Sequence, residues 1–139
     1  MSILYDDKNK NLPCEQLDKL FVSAGWSDSE NTHDNSWFKI PFTNSTFVIS
    51  AWEDDHLVGV VRVLSDTFDR SVIYDLVVLP EYQNQGIGTE LVKRCIAHCP
   101  NSEWLVQTTE KNIKYYEKIG FEIYKDVVLT IPSKYQGTE

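Results

Sequence analysis

Two glycines, Gly86 and Gly88, stand in the hexapeptide QNQGIG, after a run of apolar β-formers and at the start of a helical pattern. The first turn of a helix exposes unpaired backbone N–H groups and carries about half a positive charge, so it attracts anions without a basic side chain. Glycine lets phosphate oxygens approach the main chain there. The hexapeptide therefore indicates a phosphate-binding turn.

Three known kinds of phosphate turn make different demands on the sequence. A dinucleotide fingerprint requires a third glycine where this chain has Leu91. A Walker loop requires Gly-Lys-Ser/Thr, but Gly88 is followed by Thr89 with no lysine. Both alternatives fail, and the third kind is the turn that binds the pyrophosphate of an acyl-CoA.

The stretch LVVLPEYQNQGIG resembles motif A of the GCN5-related N-acetyltransferase (GNAT) family, with Gln83, Gly86 and Gly88 at the motif's positions. A later stretch, YYEKIGFE, resembles motif B of the same family. The resemblance covers roughly residues 45–125. The segment VRVLSDTFDRSVIYDLVV is also similar to the small branch that includes plant-type serotonin N-acetyltransferases.

The resemblance implies acetyl-CoA (coenzyme A) as the acetyl donor, no metal, and direct attack by a primary amine in a ternary complex. Many family members have an asparagine where this chain has Thr109, so the helix start of motif B looks shortened and Asn112 becomes a candidate contact. The implied cofactor-binding residues come from the strand end, the turn and motif B. They are Leu76, Val77, Val78, Gln83, Asn84, Gln85, Gly86, Ile87, Gly88, Thr89, Asn112 and Tyr115.

Amide formation from a thioester needs a neutral amine and a proton for the leaving thiol. The resemblance places Tyr116 beside the thiol, and its unperturbed pKa of about 10 suits a proton donor; the alternative is a core aromatic on a helix face. An alkylammonium ion has a pKa near 10 and must lose a proton before it attacks. Asp75 is the best-placed base, although a buried Asp can also cap a backbone group or anchor a cationic substrate.

The cysteines and histidines carry weaker signals. His98 resembles a metal cluster with Cys95 and Cys99 only superficially, because both thiols lie on the inward stripe of a helix and no fourth ligand is near. Three cysteines without a CxxC pair predict reduced thiols. His33 and His56 are more often surface residues than acceptor contacts.

Thirteen basic and 21 acidic residues give a net charge of −8, which disfavours nucleic acid and anionic membrane surfaces as partners. It agrees with a small-molecule or peptide amine as the acceptor. No apolar run approaches the roughly 20 residues of a membrane span, and the first residues lack the order of a signal peptide, so a cytoplasmic protein is expected. A non-catalytic acyl-CoA-binding regulatory module is the alternative function.

The length of 139 residues predicts a single domain, residues 1–139. The patterns predict an α/β fold of the mixed-sheet α+β kind, with a central, mostly antiparallel sheet flanked by helices. Residues 26–42 are a second helix or a long loop and a candidate acceptor side. A homodimer through a closing pair of strands, FEIYKDVVLTI, is a hypothesis from their apolar edge.

The other expected elements are a strand in SILYD, a helix from Pro13 to Gly25, a hairpin turning at Asp54-Asp55, a strand in SVIYDLVVL, a helix from Gly86 to Pro100, a strand in EWLVQT and a helix in EKNIKYYEKI.

Overall fold

The computed structural model describes residues 2–26 and 39–135, so most of the irregular segment, residues 27–38, lies outside the described chain. The described residues fall into two compact units, residues 1–107 and 108–139, which are taken separately. No helix within them is long and apolar enough to cross a membrane. The first unit holds β1 (Leu4–Asp6), α1 (Cys14–Ser23), α2 (Lys39–Thr43), β2 (Phe47–Glu53), β3 (His56–Ser65), β4 (Arg70–Val78), α3 (Ile87–His98) and β5 (Glu103–Val106).

The sheet of the first unit runs in the order β1-β2-β3-β4-β5. The first four strands are antiparallel neighbours, and β5 joins β4 in parallel. Helices flank this sheet, so the predicted mixed α/β fold is confirmed. The order follows from the chain: short turns join antiparallel neighbours, whereas the parallel step from β4 to β5 requires a crossover, which α3 provides.

Each face of the sheet is covered by a helix. Val60 packs in the cluster that contains Leu17 and Leu20 of α1. Side chains alternate along a strand, so the neighbouring Gly59 faces the other side, where a β-carbon on it would lie 3.3 Å from Leu91 Cδ1 of α3. Glycine at this position therefore allows α3 to approach the sheet closely.

The two long helices follow their predicted patterns. Pro13 precedes α1, and the helix gives way to Gly25 at φ +79°. In α3 the predicted inward stripe is buried, as expected for one apolar face at helical spacing. Its members are Ile87, Leu91, Cys95 and Cys99.

An irregularity in β4 opens the sheet at one end. Val60 pairs with Val77, whereas Arg62 pairs with Tyr74, so β4 holds one extra residue between these pairs. This is a β-bulge, and Asp75 in it has φ +54°. β4 pairs with β5 only over residues 70–73. In the described chain, the outer edge of β4 is therefore unpaired over residues 74–78.

The second unit contains a 3₁₀ turn at Glu110–Asn112 and helix α4 at Ile113–Ile119, which ends before Gly120. The prediction of a closing pair of strands at residues 121–131 is wrong, because this segment forms no strand in the structure. Its large apolar side chains are exposed, with Leu129 at 89% and Ile131 at 96%. An apolar alternation favours a strand only where a neighbouring strand supplies the hydrogen bonds, and the segment has no such neighbour here.

Candidate active site

The predicted phosphate turn has the backbone that an anion site requires. A 3₁₀ turn at Pro80–Tyr82 leads into Asn84 at φ +64° and Gly86 at φ +86°, the residue that precedes α3. The first helical bond runs from the N–H of Glu90 to the carbonyl of Gly86 at 2.9 Å. The N–H groups of Ile87 and Gly88 precede that bond and have no acceptor within the helix. The exposed turn therefore presents the donors and the positive helix end that suit a phosphate.

Two glutamine side chains hold this turn from within. Gln83 Nε2 donates to the carbonyl of Val78 at 2.9 Å, and Gln85 Nε2 donates to the carbonyl of Glu81 at 3.3 Å. The backbone N–H of Gln83 also donates to Pro80, at 3.2 Å. Among the predicted phosphate contacts, Gln83 thus has partners within the protein for both its backbone N–H and its side-chain amide.

The backbone N–H and C=O groups of β4 point alternately towards β3 and towards the outer edge of the sheet. The N–H of Leu79 donates to the carbonyl of Val58 in β3 at 2.9 Å, and Val77 is in register with Val60 of the same strand. By alternation, the backbone groups of Leu76 and Val78 face the unpaired edge. Of the three strand residues in the sequence prediction, these two have main-chain groups on the open side.

Asp75 lies at the bulge and forms an ion pair. Its Oδ2 accepts a hydrogen bond from Arg62 Nε at 2.6 Å. The side chains of Arg62 and Asp75 are 16% and 31% exposed, respectively. Within the described chain the other carboxylate oxygen of Asp75 has no hydrogen-bond partner. One oxygen is thus fixed by the guanidinium, and the other is available to a ligand.

Arg62 is the functional candidate that the sequence reading missed. Its guanidinium carbon lies 5.9 Å from the ring centre of Phe42 in α2 and 5.1 Å from that of Tyr74. Its Nη1 lies 3.5 Å from the hydroxyl of Ser45. The one signal in the sequence is a lone charge in the apolar run VVRVL, because a cation in a half-buried strand needs a partner carboxylate.

The motif B residues lie in the second unit. Tyr116 on α4 is 8% exposed, and its ring contacts those of Tyr115 at 5.0 Å and Phe121 at 5.5 Å. Burial, with a smaller contribution from Tyr115, raises the pKa of Tyr116 to about 12. Asn112 Nδ2 donates to Thr108 at 3.2 Å and to Thr109 at 3.4 Å. Tyr116 is therefore a neutral phenol at all physiological pH values.

The raised pKa of Tyr116 predicts an alkaline loss of stability. The unfolded phenol ionises near pH 10 and the folded one near 12, so its stabilising contribution is complete below pH 10 and is lost as the pH rises towards 12. Relative to Tyr116→Phe, the native protein should lose about 2 kcal/mol between about pH 9 and pH 11.5. Urea unfolding of both proteins at the two pH values measures this. A stability difference that stays constant with pH would contradict the assignment.

Cys95 and His98 of α3 lie in different surroundings. Cys95 is fully buried, and burial raises the pKa of its thiol to about 12. His98 Nε2 lies 3.0 Å from Asp7 Oδ2, and its ring stacks on Phe47 with centres 4.4 Å apart. Among the described residues, no group of three His, Cys, Asp or Glu side chains is arranged to hold a metal ion.

Comparison with known proteins identifies relatives that cover half of this chain or more. An N-acetyltransferase from Pyropia yezoensis, named uncharacterized N-acetyltransferase ycf52, is 28% identical over 125 residues, which are 85% of this chain and 70% of that protein. The GCN5-related N-acetyltransferase 2, chloroplastic, of Arabidopsis thaliana is 32% identical over 79 residues, which are 50% of this chain and 28% of that protein.

Solved structures share the fold. The GNAT family acetyltransferase SP0256 from Streptococcus pneumoniae TIGR4 superposes with a TM-score of 0.78 and 27% identity, covering 96% of this chain and 99% of that one. The sequence model described as the acetyltransferase (GNAT) family matches residues 9–121. The chain therefore belongs to the GNAT family and is an acetyltransferase.

Proposed function

We propose that the protein transfers the acetyl group of acetyl-CoA to a primary amine by direct attack in a ternary complex. The observation that carries this proposal is the continuous path from the unpaired edge of β4, residues 74–78, to the exposed turn before α3. An extended arm with amide groups suits an open strand edge, and a pyrophosphate suits a helix N-terminus. The two features follow each other along the chain in the order in which coenzyme A carries these groups.

The residues present fit coenzyme A. The backbone groups of Leu76 and the N–H of Val78, whose carbonyl accepts from Gln83 Nε2, would bind the pantetheine arm. The N–H groups of Ile87 and Gly88 would bind the pyrophosphate. When bound, acetyl-CoA supplies a thioester whose carbonyl carbon accepts the amine. We assign Asn84, Gln85 and Thr89 to the rim of the phosphate site, and Asn112 and Tyr115 to the cofactor on the strength of motif B.

Asp75 is proposed as the base that takes a proton from the acceptor ammonium. Arg62 holds one carboxylate oxygen at 2.6 Å, and the other, which has no described hydrogen-bond partner, would accept the proton from the amine directly or through a water. The alternative is an anchor that binds the ammonium and leaves its proton in place. The two roles differ in kinetics, because a base acts on kcat and an anchor acts on KM.

Tyr116 is proposed as the donor of a proton to the departing thiolate, on the basis of its place in motif B. In the complete reaction the amine nitrogen would bond to the carbonyl carbon and the carbon–sulfur bond would break. One ammonium proton would go to the base, a second would pass from the nitrogen to solvent and the third would stay on the amide, while the thiolate would take the proton of Tyr116. With a pKa of about 12, Tyr116 cannot retain a negative charge at neutral pH and must be reprotonated from solvent after each turnover.

Arylalkylamines, polyamines and lysine side chains are the acceptor classes that agree with the net charge of −8. Release of CoA thiol from acetyl-CoA should be measured with a panel of arylalkylamines, polyamines, amino sugars and lysine peptides. We expect turnover with one class. Binding of CoA without turnover on any amine would favour the non-catalytic regulatory module.

A homodimer through residues 121–131 and a cytoplasmic location stay predictions. The exposed apolar side chains of that segment, such as Val127 at 84%, support an intermolecular contact. A monomeric mass in solution at micromolar concentration would remove the dimer. The name of the Arabidopsis relative places that protein in the chloroplast, so localisation of a tagged full chain is the relevant test for the compartment.

A further inference from the structure

We propose that the hydrogen bond from Tyr82 to Glu53 is a positioning contact that sets the phosphate turn for coenzyme A. This inference rests on the proposed function of the turn. Tyr82 ends the 3₁₀ turn that leads into QNQGIG, and Glu53 ends β2. The Tyr82 hydroxyl donates to Glu53 Oε1. A turn residue is thus joined to a strand that lies two places away from β4 in the sheet.

The phosphate turn depends on such contacts because residues 83–86 are exposed in the described chain. It holds two residues at positive φ, Asn84 and Gly86, and only one of them is a glycine. A β-carbon built on Gly86 would meet no atom within 4 Å. The turn is therefore strained and open, and hydrogen bonds at its base must maintain its shape before a ligand arrives.

The contacts at that base point in different directions. Leu79 N–H bonds to Val58 of β3, and Gln83 Nε2 bonds back to Val78 of β4. Both act close to the β3–β4 pair. Among the hydrogen bonds described for residues 79–86, the bond from Tyr82 alone reaches β2. This additional direction restricts rotation of the turn about β4.

Glu53 is itself well fixed. It pairs with His56 across the β2–β3 hairpin, and the connecting Asp54 has φ +51°. Its carboxylate is also the main cause of the raised pKa of Tyr82, as expected when a phenol donates to an anion. Hydrogen bonds to charged acceptors are about twice as strong as neutral ones, so the carboxylate is a better anchor than a neutral amide.

The contact should affect phosphate binding and leave the reacting groups unchanged. The variant Tyr82→Phe removes the donor and keeps the ring, and Glu53→Gln keeps an acceptor without the charge. Calorimetry would measure the binding of CoA and of pantetheine, which has no phosphates. We expect Tyr82→Phe to weaken CoA binding roughly 10-fold and Glu53→Gln roughly 3-fold, with pantetheine binding unchanged by either.

A matched control and a double variant complete the design. Tyr124→Phe removes a phenol hydroxyl from a half-exposed residue of the second unit and should change neither affinity. The double variant should bind CoA no more weakly than Tyr82→Phe alone, because both changes break the same bond. Wherever turnover is found, KM for acetyl-CoA should rise while kcat stays constant.

Two results, obtained with a native protein that binds CoA, would overturn this inference alone. Unchanged CoA affinity in Tyr82→Phe would show that the bond does not position the turn, and an equal loss for CoA and pantetheine would show a general structural role. If the unaltered protein bound no CoA, the proposed function would fall and this inference with it. If the native protein and Tyr82→Phe bind CoA with equal affinity, this inference is overturned and the proposed function is not.

Discussion

Asp75→Asn is expected to lower kcat for an alkylamine acceptor by about 10²- to 10³-fold, with the affinity for CoA unchanged. Asparagine tolerates the positive φ of +54° at this position, so the bulge should persist. The amide can still accept a hydrogen bond from Arg62 but cannot take a proton. Steady-state kinetics at saturating acetyl-CoA, with CoA calorimetry beside it, would measure both quantities.

The acceptor's own pKa supplies the control for Asp75→Asn. An amine that is already neutral at the assay pH needs no base, so it should lose far less rate than an alkylammonium acceptor. Raising the pH towards 10 should restore part of the activity with the alkylamine. A rise in KM with kcat preserved would instead assign Asp75 to anchoring. Full activity would place the base elsewhere.

Gly86→Asp is expected to weaken CoA binding by about 100-fold or more. Gly86 has φ +86° and open space around its missing β-carbon, so the new carboxylate extends into the region where the pyrophosphate is proposed to lie. Repulsion between this carboxylate and the pyrophosphate, at contact distance in a partly desolvated site, lowers the binding free energy several-fold more than the loss of one hydrogen bond. Calorimetric titration with CoA would measure the loss.

Gly86→Asn is the matched control. Asparagine and aspartate have the same shape and are the non-glycine residues that best tolerate this backbone region, so the two variants differ only in charge. We expect Gly86→Asn to bind CoA roughly 10-fold more tightly than Gly86→Asp, and both to bind pantetheine like the native protein. Equal CoA affinities in the two variants would argue against an anion at this turn.

The elements that bind the proposed cofactor could be predicted because their signals are local. The stripe from Ile87 to Cys99 specifies α3, and the glycine at its start specifies the turn. The hairpin at Asp54-Asp55 follows equally from neighbouring residues. Such features depend on backbone preference and on periodicity, which a single sequence contains.

Contacts between distant segments could not be predicted in this way. The bulge at Asp75 arises from the register between β3 and β4, and the pairing of Asp75 with Arg62 depends on that register. The bond from Tyr82 to Glu53 joins the connection between β4 and α3 to the hairpin between β2 and β3. The alternation in residues 121–131 predicts strands correctly only where a neighbouring strand is available. These features depend on tertiary structure, which local patterns do not encode.

The most direct test of the account is calorimetric titration of the native protein with CoA and with pantetheine. Main-chain groups at the start of α3 are proposed to bind the pyrophosphate, so CoA should bind at least 100-fold more tightly than pantetheine, a difference of about 3 kcal/mol. Equal affinity for the two compounds would mean that the glycines of QNQGIG bind no phosphate, and it would contradict the central claim.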